Sequence, residues 1–179
     1  VVNASDAPPE PRPGRHALPE RFVLCAGRIE PRKNQLALAE ALAGFPLPLV
    51  LVGDPGPMHG TYFRRLQALS GPGLRLVPAL PRDELFALYA AAEVHVAPAW
   101  YETPGLVSLE AAAAGTRVVT TDRGSTREYF GDDACYLDPA DPASMRRAVE
   151  ESLARPRASP LRERVLREYT WERAGEQTL

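Results

Sequence analysis

The 179-residue, 19.5 kDa chain carries 21 basic residues against 23 acidic ones, a formal charge of -2. That balance, with no block of like charge, excludes a phosphate-tracking nucleic-acid binder, which needs a clustered excess of Lys and Arg. With 45% hydrophobic residues, a chain of this length can bury roughly 70% of its unfolded surface in one core, and no apolar run approaches the roughly 20 residues of a membrane helix.

The chain begins Val1-Val2-Asn3, neither a signal peptide nor an initiator methionine, and reads as cut from something longer. Nineteen of its residues are proline, about twice ordinary usage. Pro8, Pro9, Pro11, Pro13 and Pro19 crowd the first twenty positions, so residues 1–20 are expected to be an extended lead-in and residues 21–179 the folded domain. Residues 21–27 (RFVLCAG) then form a run of strand length, and Leu36, Leu38, Ala39 and Leu42 recur with helical spacing. Further strands are expected at residues 48–53, 74–78, 93–97 and 117–121, with a shorter one at 135–137. Helices are expected at about 60–70, 82–92 and 105–114, and two more at 141–153 and 161–174, broken by Pro156 and Pro160.

Strands that are apolar throughout, separated by helices, indicate a parallel sheet covered on both faces. The expected fold is α/β: a three-layer α/β/α Rossmann-like domain with a mostly parallel, doubly wound sheet of about six strands. Ligands of such sheets bind beyond the carboxyl ends of the strands, so functional residues should lie in the loops after Gly27, Gly53, Pro78, Ala97 and Thr121. Cys25 and Cys135 sit in apolar segments and read as buried thiols of a reducing, cytoplasmic compartment.

The loop Gly27-Arg28-Ile29-Glu30-Pro31-Arg32-Lys33-Asn34 brings cations to the start of a helix, where free N–H groups and the helix dipole favour an anion, phosphate above all. Of the 21 basic residues 20 are arginine, and the one lysine, Lys33, falls in this loop. Arg28 and Lys33 are assigned to function and Arg32 is left unassigned. After the fourth apolar run, Glu102 and Glu110 stand eight positions apart, with Pro104-Gly105 between them at the start of a helix that places Leu106 and Glu110 on one face.

These residues resemble the C-terminal, donor-binding half of the family-four, group 1 retaining glycosyltransferases of the GT-B type. The resemblance runs through Asn3-Ala4-Ser5-Asp6, Gly27-Arg28 to Lys33, Val52-Gly53-Asp54, Leu85-x-x-Leu88-Tyr89-x-x-Ala92, Glu102 to Ala111 and Gly124-x-x-x-Glu128. It implies that Arg28 and Lys33 hold the donor diphosphate and stabilise it as it leaves. Glu102 would face the donor sugar, and backbone around Thr103, Pro104, Gly105 and Leu106 would touch sugar and phosphate. Glu110 would accept hydrogen bonds from the ribose, with the base against the loops of Gly53 and Leu80. The nucleotide sugar, from UDP or GDP, is then a substrate, and no metal or other cofactor is implied. The partner is an N-terminal acceptor domain absent from this chain; nucleic acid and a transmembrane segment are not expected, while peripheral membrane contact of the parent stays open.

Three positions depart from the family pattern: Pro104 stands where an aromatic is usual, Ala99 for Ser and Ser125 for a second Gly, leaving donor-sugar preference open. His95, within a strand, reads as a satisfied core or rim histidine rather than a base. Trp100-Tyr101 is either a stacking platform for a sugar or a wall over the helix start. The mixed Arg and Glu residues of the last helix read as a solvated face or a docking face for the missing half. A catalytically silent nucleotide-sugar-binding module and a GT-B nucleotide-sugar epimerase are the alternatives.

Overall fold

The computed structural model describes residues 18–157 and 160–170. Asn3 to Asp6, the first four prolines of the lead-in, His16 and the end of the expected last helix lie outside the described residues. Six strands, β1 (Val23–Ala26), β2 (Leu49–Val52), β3 (Leu74–Val77), β4 (Val94–Ala97), β5 (Arg117–Thr121) and β6 (Cys135–Leu137), form one sheet in the order β3-β2-β1-β4-β5-β6. Every pairing is parallel, so each connection must cross a face of the sheet. The crossovers are α1 (Gln35–Ala41), α2 (Gly60–Ala68), α3 (Arg82–Ala91), α4 (Leu106–Ala113) and α5 (Thr126–Phe130); α6 (Pro142–Ala154) and α7 (Pro160–Glu168) follow β6. The five-residue α5 was not expected, because the Gly124-x-x-x-Glu128 stretch reads as loop.

The sheet has two covered faces, and this is why its central strands β1, β2 and β4 are apolar at every position except His95 of β4. Val23 and Cys25 of β1 point towards Leu36 and Leu38 of α1 and Met145 and Val149 of α6. Leu24 and Ala26 point to the other side, towards Phe86 and Tyr89 of α3 and Ala111 of α4. Each fully buried Leu or Val contributes about 1.5–3 kcal/mol relative to exposure. The chain runs outward from β1 to β3, returns through α3 to β4 beside β1, and then runs outward the other way. The loops after β1 and β4 therefore stand side by side at the switch point, over the carboxyl ends of adjacent strands, where ligands of such sheets bind.

Four arginines serve the opposite end of the sheet. Arg162 Nε donates to the Ala113 carbonyl at the end of α4, and Arg157 to Ala90 at the end of α3. Arg164 reaches Tyr129 O of α5, and Arg146 reaches Ala43 O just past α1. A multi-donor guanidinium suits these orphan carbonyls and the negative helix ends. The last helix is therefore not a freely solvated face: Arg162 and Arg164 tie it to α4 and α5, and Arg164 also pairs with Asp133 at 2.9 Å.

His95 on β4 is a core residue, but not a satisfied one. It is fully buried with its ring edge-on to Tyr89, and among the described residues neither nitrogen has a hydrogen-bond partner. Burial, with the Lys33 charge acting in the same direction, lowers its pKa to about 3. The native imidazole thus stays neutral while the unfolded one takes a proton below about pH 6.5, so stability falls as pH drops through that window. Well below pH 6.5 the loss is about 1.4 kcal/mol per pH unit. Melting curves between pH 6.5 and 4.5 should be distinctly flatter for His95→Leu than for the unaltered protein; equal slopes would refute a buried neutral His95.

Candidate functional site

The loop after β1 is irregular yet closely held. Gly27 N donates to Val52 O at 2.9 Å, Ile29 N to Asp54 O at 2.9 Å, and Gly56 N to Ile29 O at 3.2 Å, so the loop is stitched to the one after β2. That stitching requires Gly53, where a Cβ would lie 2.1 Å from the Gly27 carbonyl oxygen. Gln35 completes the hold: its Nε2 donates to Arg28 O at 2.8 Å and its Oε1 accepts from Glu30 N at 3.4 Å. Arg32 and Lys33 fall in a 3-10 turn, Pro31–Lys33, followed by Asn34 in the left-handed region, which donates from Nδ2 to Pro139 O.

The helix-dipole account of this loop needs correction. Helix α1 has only seven residues, Leu36 N–H is spent on the Tyr62 hydroxyl, and Lys33 and Asn34 N–H bond Glu30 and Pro31 carbonyls. An anion here would be held by side chains. Arg28 is the exposed one, with 69% of its side chain accessible and its nearest carboxylate oxygen, on Glu30, 3.9 Å away. Arg32, unassigned from sequence, is structural: it pairs with Glu30 at 3.1 Å and donates to Tyr101 O at 3.2 Å.

The loop after β4 packs directly onto this one. Trp100 N donates to Arg32 O at 2.9 Å. Glu102 is fixed by its backbone, N to Arg123 O at 3.2 Å and O from Ser125 N at 3.1 Å, in a parallel bridge to Gly124. Its carboxylate, 8% exposed, pairs with Lys33 Nζ, whose side chain is 20% exposed. The two charged residues singled out from loops 69 positions apart thus meet in one ion pair. Ser125 has φ -95, a conformation open to any residue, so its replacement of a second glycine carries no backbone strain.

Helix α4 supplies the free N-terminus that α1 lacks. Gly105 stands before it at φ 62, no side chain caps it, and Leu106 is 42% exposed there. Thr103 is exposed, while Pro104 and Gly105 are buried beneath it. Glu110, one turn on, accepts from the Tyr89 hydroxyl at 3.5 Å, and burial together with that carboxylate raises the Tyr89 pKa well above its usual value. Trp100 and Tyr101 are exposed, with the Arg123 guanidinium 5.3 Å over the Trp100 ring, so the aromatic pair is no buried wall.

A cavity of about 290 Å³ opens beside these groups, lined among others by Gly27, Arg28, Gly53, Asp54, Leu80 and Val107. Val107 also borders a small recess with Lys33, Gln35 and Glu102. Of the residues assigned from sequence, Gly27, Arg28, Gly53 and Leu80 share the cavity and Lys33 and Glu102 share the recess; Thr103, Pro104, Gly105, Leu106 and Glu110 line neither. Gln35 and Val107 escaped the sequence reading, and Asp54 entered it only within the Val52-Gly53-Asp54 stretch, with no role of its own. Val107 is the residue after Leu106 and needed only the helical phase, whereas Gln35 gave no signal beyond being polar in an apolar pattern. A larger cavity, about 420 Å³, lies at the other end of α4 near Gly115, Arg157 and Arg162, where both guanidiniums already serve carbonyls. Among the described residues no group of three or more His, Cys, Asp or Glu is placed to hold a metal, and no helix is long and apolar enough to cross a membrane.

Comparison with known proteins places this geometry. An O-antigen chain mannosyltransferase B of Escherichia coli is 30% identical over 169 residues, covering 88% of this chain and 44% of the relative. A D-inositol 3-phosphate glycosyltransferase of Nocardioides is 34% identical over 193 residues, covering 92% and 42%. Sucrose-phosphate synthase from Thermosynechococcus elongatus superposes with a TM-score of 0.79 at 31% identity, over 90% of this chain and 45% of that one. Anabaena HepE, solved with UDP and glucose, shares the fold at a TM-score of 0.78 and 20% identity, over 89% and 47%. The chain spans less than half the length of each of these proteins. The family described as Glycosyl transferases group 1 matches residues 7–170, and with the doubly wound sheet and the paired loops at its switch point, the chain belongs to the group 1 glycosyltransferases.

Proposed function

We propose that this chain is the donor-binding half of a metal-independent, retaining hexosyltransferase that moves a sugar from UDP or GDP to an acceptor held by a second domain. The observation that carries the reading is the meeting of Lys33 and Glu102 beside the uncapped start of α4 and the cavity of Gly27, Arg28, Gly53 and Leu80. Nucleoside fits the cavity, against the loops after β2 and β3, and diphosphate lies between Arg28, Lys33 and the first N–H groups of α4. As the glycosidic bond to phosphate breaks, charge gathers on the phosphate oxygens, and cations fixed there beforehand favour the transition state over the ground state. Glu102 faces the sugar, and Glu110 the ribose. The buried free thiols of Cys25 and Cys135 support a reducing, cytoplasmic setting, with peripheral membrane contact of the parent left open.

Calorimetry of the full-length protein with UDP, GDP and ADP tests the reading: UDP or GDP should bind, and a donor screen should give transfer with the matching nucleotide sugar. Lys33→Arg should slow turnover about tenfold or more, because a planar fork does not reproduce the compact ammonium at a site closed by Glu102. Failure of all three nucleotides to bind refutes the reading, and unaltered donor affinity and turnover in Lys33→Arg refutes the role of Lys33.

A further inference from the structure

The geometry points to Gln35 as the positioning residue of the diphosphate site, acting on Arg28 and Lys33 through the backbone; this rests on the reading of the β1 loop as that site. Gln35 is the first residue of α1 and is 2% exposed, in a helix whose Leu36 and Leu38 are core. A buried primary amide is costly without partners. Its partners lie back along the chain rather than in the helix: it donates to Arg28 O and accepts from Glu30 N, bracketing Ile29. Ile29 is itself bonded at both its N–H and its C=O to the loop after β2. Lys33 N donates in turn to Glu30 O at 3.0 Å, so residues 28–30, outside any named helix or strand, are fixed at five backbone points, two of them supplied by this one side chain.

The arrangement separates what is held from what is free. The backbone of Arg28 is pinned while its side chain stays largely exposed, as suits a cation that must close on a ligand without the loop reorganising. Gln35 also borders the recess of Lys33 and Glu102, and Glu30, whose N–H it accepts, takes the Lys33 N–H on its carbonyl. The role needs a donor and an acceptor on the same head group. Methionine offers neither. Glutamate offers both only when protonated, because an ionised carboxylate would set oxygen against the Arg28 carbonyl oxygen.

The test compares the affinity of the full-length protein for UDP and GDP with that for uridine and guanosine. Gln35→Met should lose about fivefold or more in diphosphate affinity while nucleoside affinity stays within twofold. Gln35→Glu, measured relative to wild type, should approach wild-type diphosphate affinity at pH 6 and fall towards the methionine variant by pH 8.5. Unchanged diphosphate affinity in Gln35→Met overturns the positioning role. So does equal loss of nucleoside and diphosphate affinity with a lowered melting temperature, or a Gln35→Glu ratio that does not vary with pH. If the wild-type protein binds UDP and GDP no better than the nucleosides, the diphosphate reading itself fails, an outcome visible before any variant is made.

Discussion

Replacing Glu102 by glutamine is expected to cut sugar transfer at least a hundredfold while tightening binding of bare UDP or GDP about three- to tenfold. The two effects have opposite signs because Glu102 does two things. In the unliganded protein its carboxylate is paired with Lys33 in a largely buried setting, so an arriving diphosphate must compete for the ammonium and approach a fixed negative charge. Glutamine keeps the shape, removes the charge and frees Lys33, and in the proposed donor complex it also removes the charge expected beside the sugar. Lys33→Ala should do the reverse for binding. It removes a charge-assisted contact worth about 1.5–3 kcal/mol and leaves Glu102 as an unpaired, nearly buried carboxylate beside the phosphates. The loss should exceed that of Arg28→Ala, because Arg28 is exposed and only loosely partnered. The gain in nucleotide binding from Glu102→Gln should be larger in the Lys33→Ala background, where the carboxylate is unpaired, than in the wild type, a non-additivity expected of residues in contact. Calorimetry on the wild type and the four variants checks this set; additive effects, or weaker UDP and GDP binding in Glu102→Gln, would sink the coupling.

Much of the fold is legible in the residues, and the reason is specific. Strands buried on both faces must be apolar at every position, and such runs punctuated by helical patterns leave few topologies besides a doubly wound sheet. Arg28, Lys33, Gly53 and Glu102 stand out in the residues as candidates, because charge and glycine at the end of an apolar run have few structural uses; Leu80 carries no such signal and enters only through the family resemblance. The pairing of Lys33 with Glu102 does not stand out. Lys33 meets Glu102 only because β1 and β4 are neighbours in the sheet, and strand order is not written in periodicity. Distance in sequence also hid the arginines: an excess that reads as compositional drift includes side chains that cap helix ends, with partners 35 to 103 positions away. The expectation of a free helix start after Gly27 failed for a similar reason, since the hydroxyl that occupies Leu36 N–H comes from Tyr62 on α2.

Gly124→Ala should be the most damaging small substitution on the carboxyl side of the sheet, and its damage should reach Glu102. Gly124 sits at φ +104, a conformation that side chains of L-residues rarely adopt, and a Cβ there would lie 1.9 Å from the Glu102 carbonyl oxygen and 2.9 Å from its carbonyl carbon. Neither neighbour is a flexible side-chain tip. Both belong to the stretch that Arg123 O and Ser125 N hold in place on either side of the Glu102 backbone, so relief requires the two loops to separate. Backbone strain alone is worth about 1–3 kcal/mol, and displacement of a reacting group by about 1 Å can cost about a hundredfold in rate. Gly124→Ala is therefore expected to lower stability by about 2 kcal/mol or more and transfer by at least a hundredfold. Gly44→Ala supplies the contrast. Gly44 has φ +69 but open space where the Cβ would go, beyond the end of α1, so it should show strain of about 1 kcal/mol with normal transfer. Denaturant melts and donor turnover on both variants separate strain from displacement: normal turnover in Gly124→Ala would mean that the loop after β5 does not set the position of Glu102.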